Sequence, residues 1–236
     1  MSEAVFYQRN GLIGVVVAAP GGIISAEQLK KLGFLLQELD CPACKMTTRQ
    51  TLVVLVAEDK VEQFKDRIRE IGLAISAYGN VVRNIKVCCG SPDLCSRTVT
   101  DVLGLGIKLQ EEFMGQPVPK DFKIAIAGCH RGCTDPFCAD LGIVAVGPNS
   151  FSLYLGGRGG SRSPEHGQLL IENIDENELS KAIGYILDRY RTEALPHERL
   201  CRTINRVGKD KFELPLDSLQ LKLPDQDEFL KFAGLA

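Results

Sequence analysis

The residues best suited to chemistry in this chain are cysteines set in two close pairs. The first stretch reads Cys88-Cys89-Gly90-Ser91-Pro92-Asp93-Leu94-Cys95, and a helix-length interval later comes Cys129-His130-Arg131-Gly132-Cys133. Read as Cys89-x5-Cys95 and Cys129-x3-Cys133, the pairs supply four soft thiolates, a donor set that suits an iron–sulfur cluster or zinc. The spacing is not the CxxC…CxxC of zinc ribbons. Two further groups stand outside the pairs. Cys41-Pro-Ala-Cys44 is open to reading as a redox dithiol, half a metal site or two reduced loop thiols, and is left unassigned. Cys138 and Cys201 read as a spare and a structural thiol.

The elements that must position these thiols follow from hydrophobic periodicity. Gly14–Ala19 reads as a buried strand stopped by Pro20-Gly21-Gly22. Ser25 then caps a helix, with Gln28 completing a capping box and Leu29, Leu32, Leu36 and Leu39 along one face. Thr51–Ala57 is the next strand. Asp59 is expected to cap a second helix bearing Val61, Phe64, Ile68 and Ile71, ended by Gly72. This strand–helix–strand–helix order predicts a ferredoxin-like half-unit over residues 1–76. Beyond it, a helix is expected from Ser96 to about Phe113 and a strand at Ile124–Ala127. Strands at Phe151–Leu155 and Leu169–Ile174 flank the glycine-rich Gly156–Ser163. Asp175 is expected to cap a helix carrying Leu179, Ile183, Ile186, Leu187 and Tyr190, and Leu200, Ile204 and Val207 mark another. The class is α+β: the ferredoxin-like half-unit, then an α/β domain over 77–210 and a tail over 211–236 with apolar anchors at Leu214, Leu216, Phe229 and Phe232.

Composition narrows the function classes. A net charge of −2 and a pI near 6.0 leave no basic field for nucleic acid or an anionic membrane surface. The apolar run Leu12–Ala19 is too short to span a bilayer. Nine clustered cysteines without a secretion signal point to metal binding in a reducing compartment, so a cytoplasmic location is expected. No GxxxxGKS or GxGxxG is present to suggest a nucleotide site.

Several ordered motifs between about residues 10 and 210 resemble the siroheme-dependent nitrite and sulfite reductase family in a small, single-repeat form. The carriers are Pro20–Ile24 before a helix, Thr47-Thr48-Arg49-Gln50 opening a strand, Arg83-Asn84 before the first cysteines, Pro119-Lys120-Asp121-Phe122-Lys123, the two cysteine pairs, and Ala139–Gly147 after them. The family's cluster pattern is Cys-x5-Cys followed by Cys-x3-Cys, so the resemblance implies a 4Fe-4S cluster on Cys89, Cys95, Cys129 and Cys133, with Cys88 a packed thiol beside it. It implies siroheme as second cofactor, with Cys133 shared between the cluster and the siroheme iron. Arg49, Arg83 and Lys123 are the implied anion-site cations, and Lys120, Arg131, Arg158 and Arg162 are further candidates for cofactor contact. Two departures stand out: Asp121 where the family is basic, and His130-Arg131 where it has Pro-Asn.

The resemblance implies six-electron reduction of sulfite or nitrite, with electrons arriving from a ferredoxin-like or other external donor. The alternative is a non-catalytic electron-transfer or redox-sensing subunit with the same cofactors. Larger family members carry two such repeats, with the cofactors on one and several substrate-site cations on the other. A chain with one repeat is therefore expected to act as a homodimer or beside a related subunit.

Overall fold

The computed structural model describes residues 3–215, built around two hydrophobic cores. Leu216, Phe229 and Phe232 lie outside the described residues, while Leu214 is buried in the second core.

The first core lies under a sheet of β1 (Val5–Tyr7), β2 (Ile13–Ala18), β3 (Cys44–Met46), β4 (Thr51–Val56) and β5 (Ala74–Ile75), packed with α1 (Ala26–Glu38) and α2 (Val61–Glu70). The strand order is β1-β2-β4-β3, with β5 also pairing to β2, and every pairing is antiparallel. The period-2 pleat sends Val15, Val17, Val54 and Val56 to one face, where they meet Leu32, Leu35, Phe64 and Ile68. Helix α1 has the expected capping box: Gln28 N donates to Ser25 Oγ at 3.1 Å, and Ser25 N to Gln28 Oε1 at 3.0 Å. Its buried face differs from the expected one. Leu35 is buried and Leu29 is 60% exposed, because the helix turns Leu32, Leu35 and Leu39 inward. Asp59 does not cap α2; it sits inside a 3-10 turn, Glu58–Lys60, that runs straight into the helix.

The second core fills a mixed sheet of β6 (Lys86–Val87), β7 (Ile124–Ala127), β8 (Leu141–Gly147), β9 (Ser150–Leu155) and β10 (Gln168–Asp175), with α3 (Val102–Phe113), α4 (Leu179–Glu193) and α5 (Leu200–Val207) packed against it. The order is β10-β9-β8-β7-β6, parallel from β6 to β8 and antiparallel thereafter. All four residues of β7 are buried, as a parallel strand covered on both faces requires. Helix α3 starts later than expected. Asp101 accepts from the amides of Leu103 and Gly104 at 3.0 and 3.1 Å, which fixes the first turn at Val102 and leaves 96–101 irregular. Asp175 likewise caps a 3-10 turn, Glu176–Glu178, that leads into α4.

Glycine has opposite meanings in two of these helices. A Cβ on Gly106 would run into the Val87 side chain, so α3 lies against β6 only because that residue is small. Gly184 in α4 has no neighbour within 4 Å of where its Cβ would be. Gly184→Ala is therefore expected to stabilise the protein by about 0.5–1 kcal/mol. Gly106→Ala should forfeit the same propensity gain and lose about 1–3 kcal/mol, because a stiff valine cannot yield. Urea denaturation of the two variants checks the signs.

The entry to α5 is held by Glu198. It accepts from Arg206 Nη2 at 2.7 Å, Leu195 N at 3.0 Å and Thr203 Oγ1 at 3.0 Å. The Arg206 contact, with the other donors, holds its carboxyl down to about 2 against the effect of burial. A carboxyl depressed on folding contributes stability above its unfolded value, and that contribution is lost as pH falls toward the folded value. Acid titration of stability should therefore show a falling limb between about pH 4.5 and 2, and Glu198→Gln should flatten it.

Candidate functional site

The two cysteine-bearing segments leave the C-terminal ends of the parallel strands β6 and β7 and are stitched together there. Cys88 N donates to Ile126 O at 3.1 Å, Val99 N to Gly128 O at 2.9 Å, and Val102 N to Gly90 O at 2.8 Å. Gly128 N, one residue before Cys129, donates to Cys88 Sγ at 3.1 Å. Gly90 and Gly128 pack backbone to backbone; a Cβ on Gly90 would meet Cys88 Sγ and Thr98 Oγ1, each at 2.9 Å. Burial pushes the Cys88 thiol up, the Gly128 and Gly90 amides pull it down, and the nearby Cys133 and Cys129 thiols push it up again. Cys95 and Cys129 are half-buried, while Cys89 and Cys133 are exposed. The Cys129–Cys133 loop is tightly wound, with Gly132 at φ +60° and Asp135 at φ +51°. Thr134 Oγ1 donates to Ile126 O at 3.0 Å, and Lys86 Nζ pairs with Asp135 at 3.1 Å, which ties the loop back to the sheet.

The glycine-rich hairpin packs on the 3-10 turn Pro136–Cys138 that follows this loop. Arg158 and Glu165 pair through their backbones, and Gly159 N and Gly167 N donate to Cys138 O and Phe137 O. A side chain at Gly157 would collide with the carbonyls of Phe137 and Ala139. Arg158 is half-buried; His130, Arg131 and Arg162 are exposed. Among the described residues, the side chains of Lys120, Arg131, Arg158 and Arg162 make no ion pair.

A second group gathers at the opposite, N-terminal ends of β6 and β7. Arg49 sits in the turn between β3 and β4, docked on β6 by its neighbour: Gln50 Nε2 donates to Val87 O at 2.5 Å and Gln50 Oε1 accepts from Val87 N at 2.8 Å. The Gln50 amide thus takes the place of a strand partner on the free edge of β6. Arg49 Nη2 donates to Asn84 O at 2.6 Å, and Asn84 Nδ2 returns a bond to Arg49 O at 2.9 Å. Arg49 Nε is buried with no partner among the described residues. Burial, then the nearby Arg83 cation, holds the Arg49 guanidinium down to about 10. Arg83 donates to Ala77 O at 2.8 Å and lies 4.6 Å from the Tyr78 ring centroid.

Two carboxylates and a third arginine complete the group. Asp140 is fully buried and accepts from Arg199 Nη2 at 2.9 and 2.8 Å and from Lys123 N at 2.9 Å. Burial pushes its carboxyl up to about 6, against the pull of Arg199. Arg199 Nη1 also reaches Asp121 at 2.6 Å, and Lys123 Nζ lies 3.3 Å from the same carboxylate. Burial opposes the Arg199 cation, but Asp140 and Asp121 outweigh it and raise its ionisation. Asp121 is correspondingly lowered, with Arg199 and Lys123 prevailing over its burial. The sequence singled out Arg49, Arg83 and Lys123. It missed Asp140, Arg199, Asn84 and Gln50; a lone acid in the apolar stretch Ala139–Val146 was the available signal for Asp140.

The cations and the thiols are not brought together within this chain. Lys123 precedes β7 and Cys129 follows it, at opposite ends of a strand of four residues spanning about 13 Å, and among the described residues no hydrogen bond joins Arg49, Arg83 or Lys123 to a cysteine. Among the described residues no three Cys, His, Asp or Glu side chains form a group that could hold a metal ion. A cluster site is instead indicated by the donor set: thiols on two stitched loops, with amide N–H groups turned toward sulfur. No described helix is long and apolar enough to cross a membrane.

A ferredoxin-like half-unit joined to a mixed-sheet domain with paired cysteine loops defines a class of redox protein. The chain belongs to the nitrite and sulphite reductase 4Fe-4S domain family, whose model matches residues 78–220, and the nitrite/sulfite reductase ferredoxin-like half-domain model matches residues 7–71. It is 31% identical over 203 residues to the NAD(P)H nitrite reductase of Bacillus subtilis, a match that covers 85% of this chain and 24% of that protein. The chain thus spans about a quarter of that relative's length. It is 24% identical over 209 residues to an assimilatory-type sulfite reductase of Nitratidesulfovibrio vulgaris, covering 87% of this chain and 93% of the relative. The fold matches the crystal structure of dissimilatory sulfite reductase I with a TM-score of 0.77 at 16% identity, over 91% of this chain and 70% of that one. It matches the Mycobacterium tuberculosis NirA protein with a TM-score of 0.75 at 20% identity, over 90% and 42%.

Proposed function

We propose that this chain is the catalytic unit of a siroheme-dependent reductase of sulfite or nitrite, supplied with electrons by an external ferredoxin-like donor through a 4Fe-4S cluster. The observation that carries the reading is the joining of the Cys88–Cys95 and Cys129–Cys133 segments at one end of β6 and β7, with an amide aimed at sulfur. Cys89, Cys95, Cys129 and Cys133 would hold the cluster, with Cys88 a packed thiol beside it, and Cys133 would also bind the siroheme iron. Arg131, Arg158 and Arg162, near or beside the cysteine loop, pair with the macrocycle's carboxylates. When bound, siroheme supplies the iron at which the anion is reduced by six electrons, and the cluster supplies the electrons.

The chain's own cations do the remaining work. Arg49 and Arg83 hold the oxyanion in a half-buried setting where charge is weakly screened. Lys123 delivers protons, and Lys120 adds positive charge beside it. Because these cations lie across β7 from the thiols of their own chain, the complete site joins the thiol end of one copy to the cation end of a second copy or a related subunit. Co-expressed Cys133→Ala and Lys123→Ala chains should then recover activity that neither has alone, since one of the two sites in a mixed dimer is intact.

The pairing of Lys123 with Asp121 favours a second reading, an electron-transfer or redox-sensing subunit whose anion site is neutralised. Anaerobic spectra separate the readings, recorded with iron and acid-labile sulfide on protein made where siroheme is available. A reductase shows a Soret band and a red-region siroheme band that shift with sulfite or nitrite, and it oxidises reduced methyl viologen in their presence. Siroheme bands indifferent to both anions favour the second reading. Cluster absorption without siroheme removes both.

A further inference from the structure

We propose that Cys41 and Cys44 are a thiol–disulfide exchange site, where a low-molecular-weight disulfide is reduced and an intrachain Cys41–Cys44 disulfide is formed. The pair lies beside the first core, away from the cysteine loops read as a cluster site, and the proposal does not depend on that reading.

Both thiols are carried on fixed backbone. Past the end of α1, Asp40 turns the chain at φ +53°, and Cys41 N donates back to Leu36 O at 2.8 Å. Leu55 N donates to Ala43 O at 3.0 Å, and Cys44 opens β3 paired with Val54. Directly opposed residues of an antiparallel pair send their side chains to the same face of the sheet. Val54 is buried in the first core, so Cys44 points to the face against which Cys41 packs. Because β3 is an edge strand, Cys44 reaches that face where its cover ends and is exposed, while Cys41 is half-buried. An accessible thiol and a sheltered one, separated only by Pro42 and Ala43, suit the two steps of exchange: the first attacks and the second resolves.

Cys44 loses its proton to solvent and its thiolate attacks one sulfur of the small disulfide. That S–S bond breaks, and the departing thiolate takes up a proton. Cys41 then attacks the Cys44 sulfur, the mixed disulfide breaks, and a second small thiol leaves with a proton. One small disulfide has become two thiols, and the Cys41–Cys44 pair has given up two electrons and two protons. Lys60 is placed to help the second attack: its Nζ donates to Leu39 O at 3.1 Å and lies 3.3 Å from the Asp40 carboxylate. Burial pushes the Cys41 thiol up, Lys60 pulls it down, and Asp40 and Cys44 push it up again, so the two sulfurs share one neighbourhood. A thiol held up in this way is a poor leaving group, which makes the closed bridge slow to reverse.

The test uses full-length protein purified without oxygen, equilibrated anaerobically with oxidised glutathione, then alkylated and digested with trypsin. The tryptic peptide Leu32–Lys45 holds these two cysteines and no other. It should become lighter by two hydrogens and take up no alkylating agent, and dithiothreitol should return it to the doubly alkylated form. Iron content should be the same before and after, which separates this pair from oxidation of the cysteine loops. Cys41→Ser should stop after the first step, with glutathione retained on Cys44, whereas Cys44→Ser should leave Cys41 open to alkylation. A wild-type peptide that stays doubly alkylated in excess oxidised glutathione, or that keeps a mixed disulfide, overturns the proposal. So does protection from alkylation without loss of hydrogen, relieved by a chelator, which marks a metal site instead. Glutathione retained on Cys41 in Cys44→Ser, with none on Cys44 in Cys41→Ser, overturns the assignment of the attacking thiol.

Discussion

Arg199→Ala is expected to destabilise the protein by about 3–5 kcal/mol, the cost of removing one partner from a buried ion pair. At this size that corresponds to a melting temperature lower by roughly 6–20 °C. Among the described residues Arg199 is the one cation that pairs with both Asp121 and Asp140, and it binds Asp140 through both carboxylate oxygens. Asp140 has no exposure through which water could replace the lost donor. Its remaining bond comes from Lys123 N, too little to hold a full charge in that setting.

The sign of the pH dependence follows from the same geometry. Asp140 already titrates near 6 with Arg199 present, above its ordinary value, so its contribution to stability is greatest in acid and declines as pH rises through about 6. Removing Arg199 pushes the carboxyl higher still, which makes the variant's deficit larger at pH 8 than at pH 5. Asp140→Asn added to Arg199→Ala should then recover part of the loss at neutral pH, a coupling of the size found for contacting groups, about 0.5–3 kcal/mol. Chemical denaturation of the four proteins at both pH values measures it. A loss under 1 kcal/mol, or additivity of the two changes, would show that the buried pair does not hold these elements together.

The parts of this fold that could be read from the sequence are those whose signal is local. The apolar runs of β2, β4 and β7 and the Ser25–Gln28 capping box each lie within a few residues, and they appear where expected. The short strands β3, β5 and β6 carry two or three residues each and no usable period; they exist because Cys44 meets Val54, Ala74 meets Ala18, and Lys86 meets Ala125. Irregular turns explain the misplaced helix starts, since Asp59 and the residues before Asp101 look helical by composition but are held in 3-10 or open conformations. The site divides in the same way. Spacing located the cysteines and a string of motifs located the family. The Asp140–Arg199 pair spans 59 residues, a separation no local pattern reports.

Arg49→Gln is expected to behave in the opposite way to Arg199→Ala, although both remove a buried guanidinium. Its surroundings work against the charge: burial and Arg83 lower its ionisation, whereas Asp140 and Asp121 raise that of Arg199. Nε has no acceptor among the described residues in either arginine, but Arg49 bonds only a backbone carbonyl, Asn84 O, where Arg199 bonds two carboxylates. A cation kept against the preference of its environment costs stability, and such residues mark sites where function has been favoured over folding. Losing the Asn84 contact and relieving the buried charge nearly offset each other, so the melting temperature should stay within the range of a 1 kcal/mol change. On the proposed reading, turnover of sulfite or nitrite should fall by about 10²–10³, the usual loss for one preorganised donor at a developing charge. Binding separates this from a loss of folding. Sulfite or nitrite should raise the melting temperature of the wild type by mass action and leave Arg49→Gln unmoved. A variant that melts as early as Arg199→Ala, yet retains wild-type turnover per folded molecule, would instead place Arg49 with the residues that hold the two halves of the chain together.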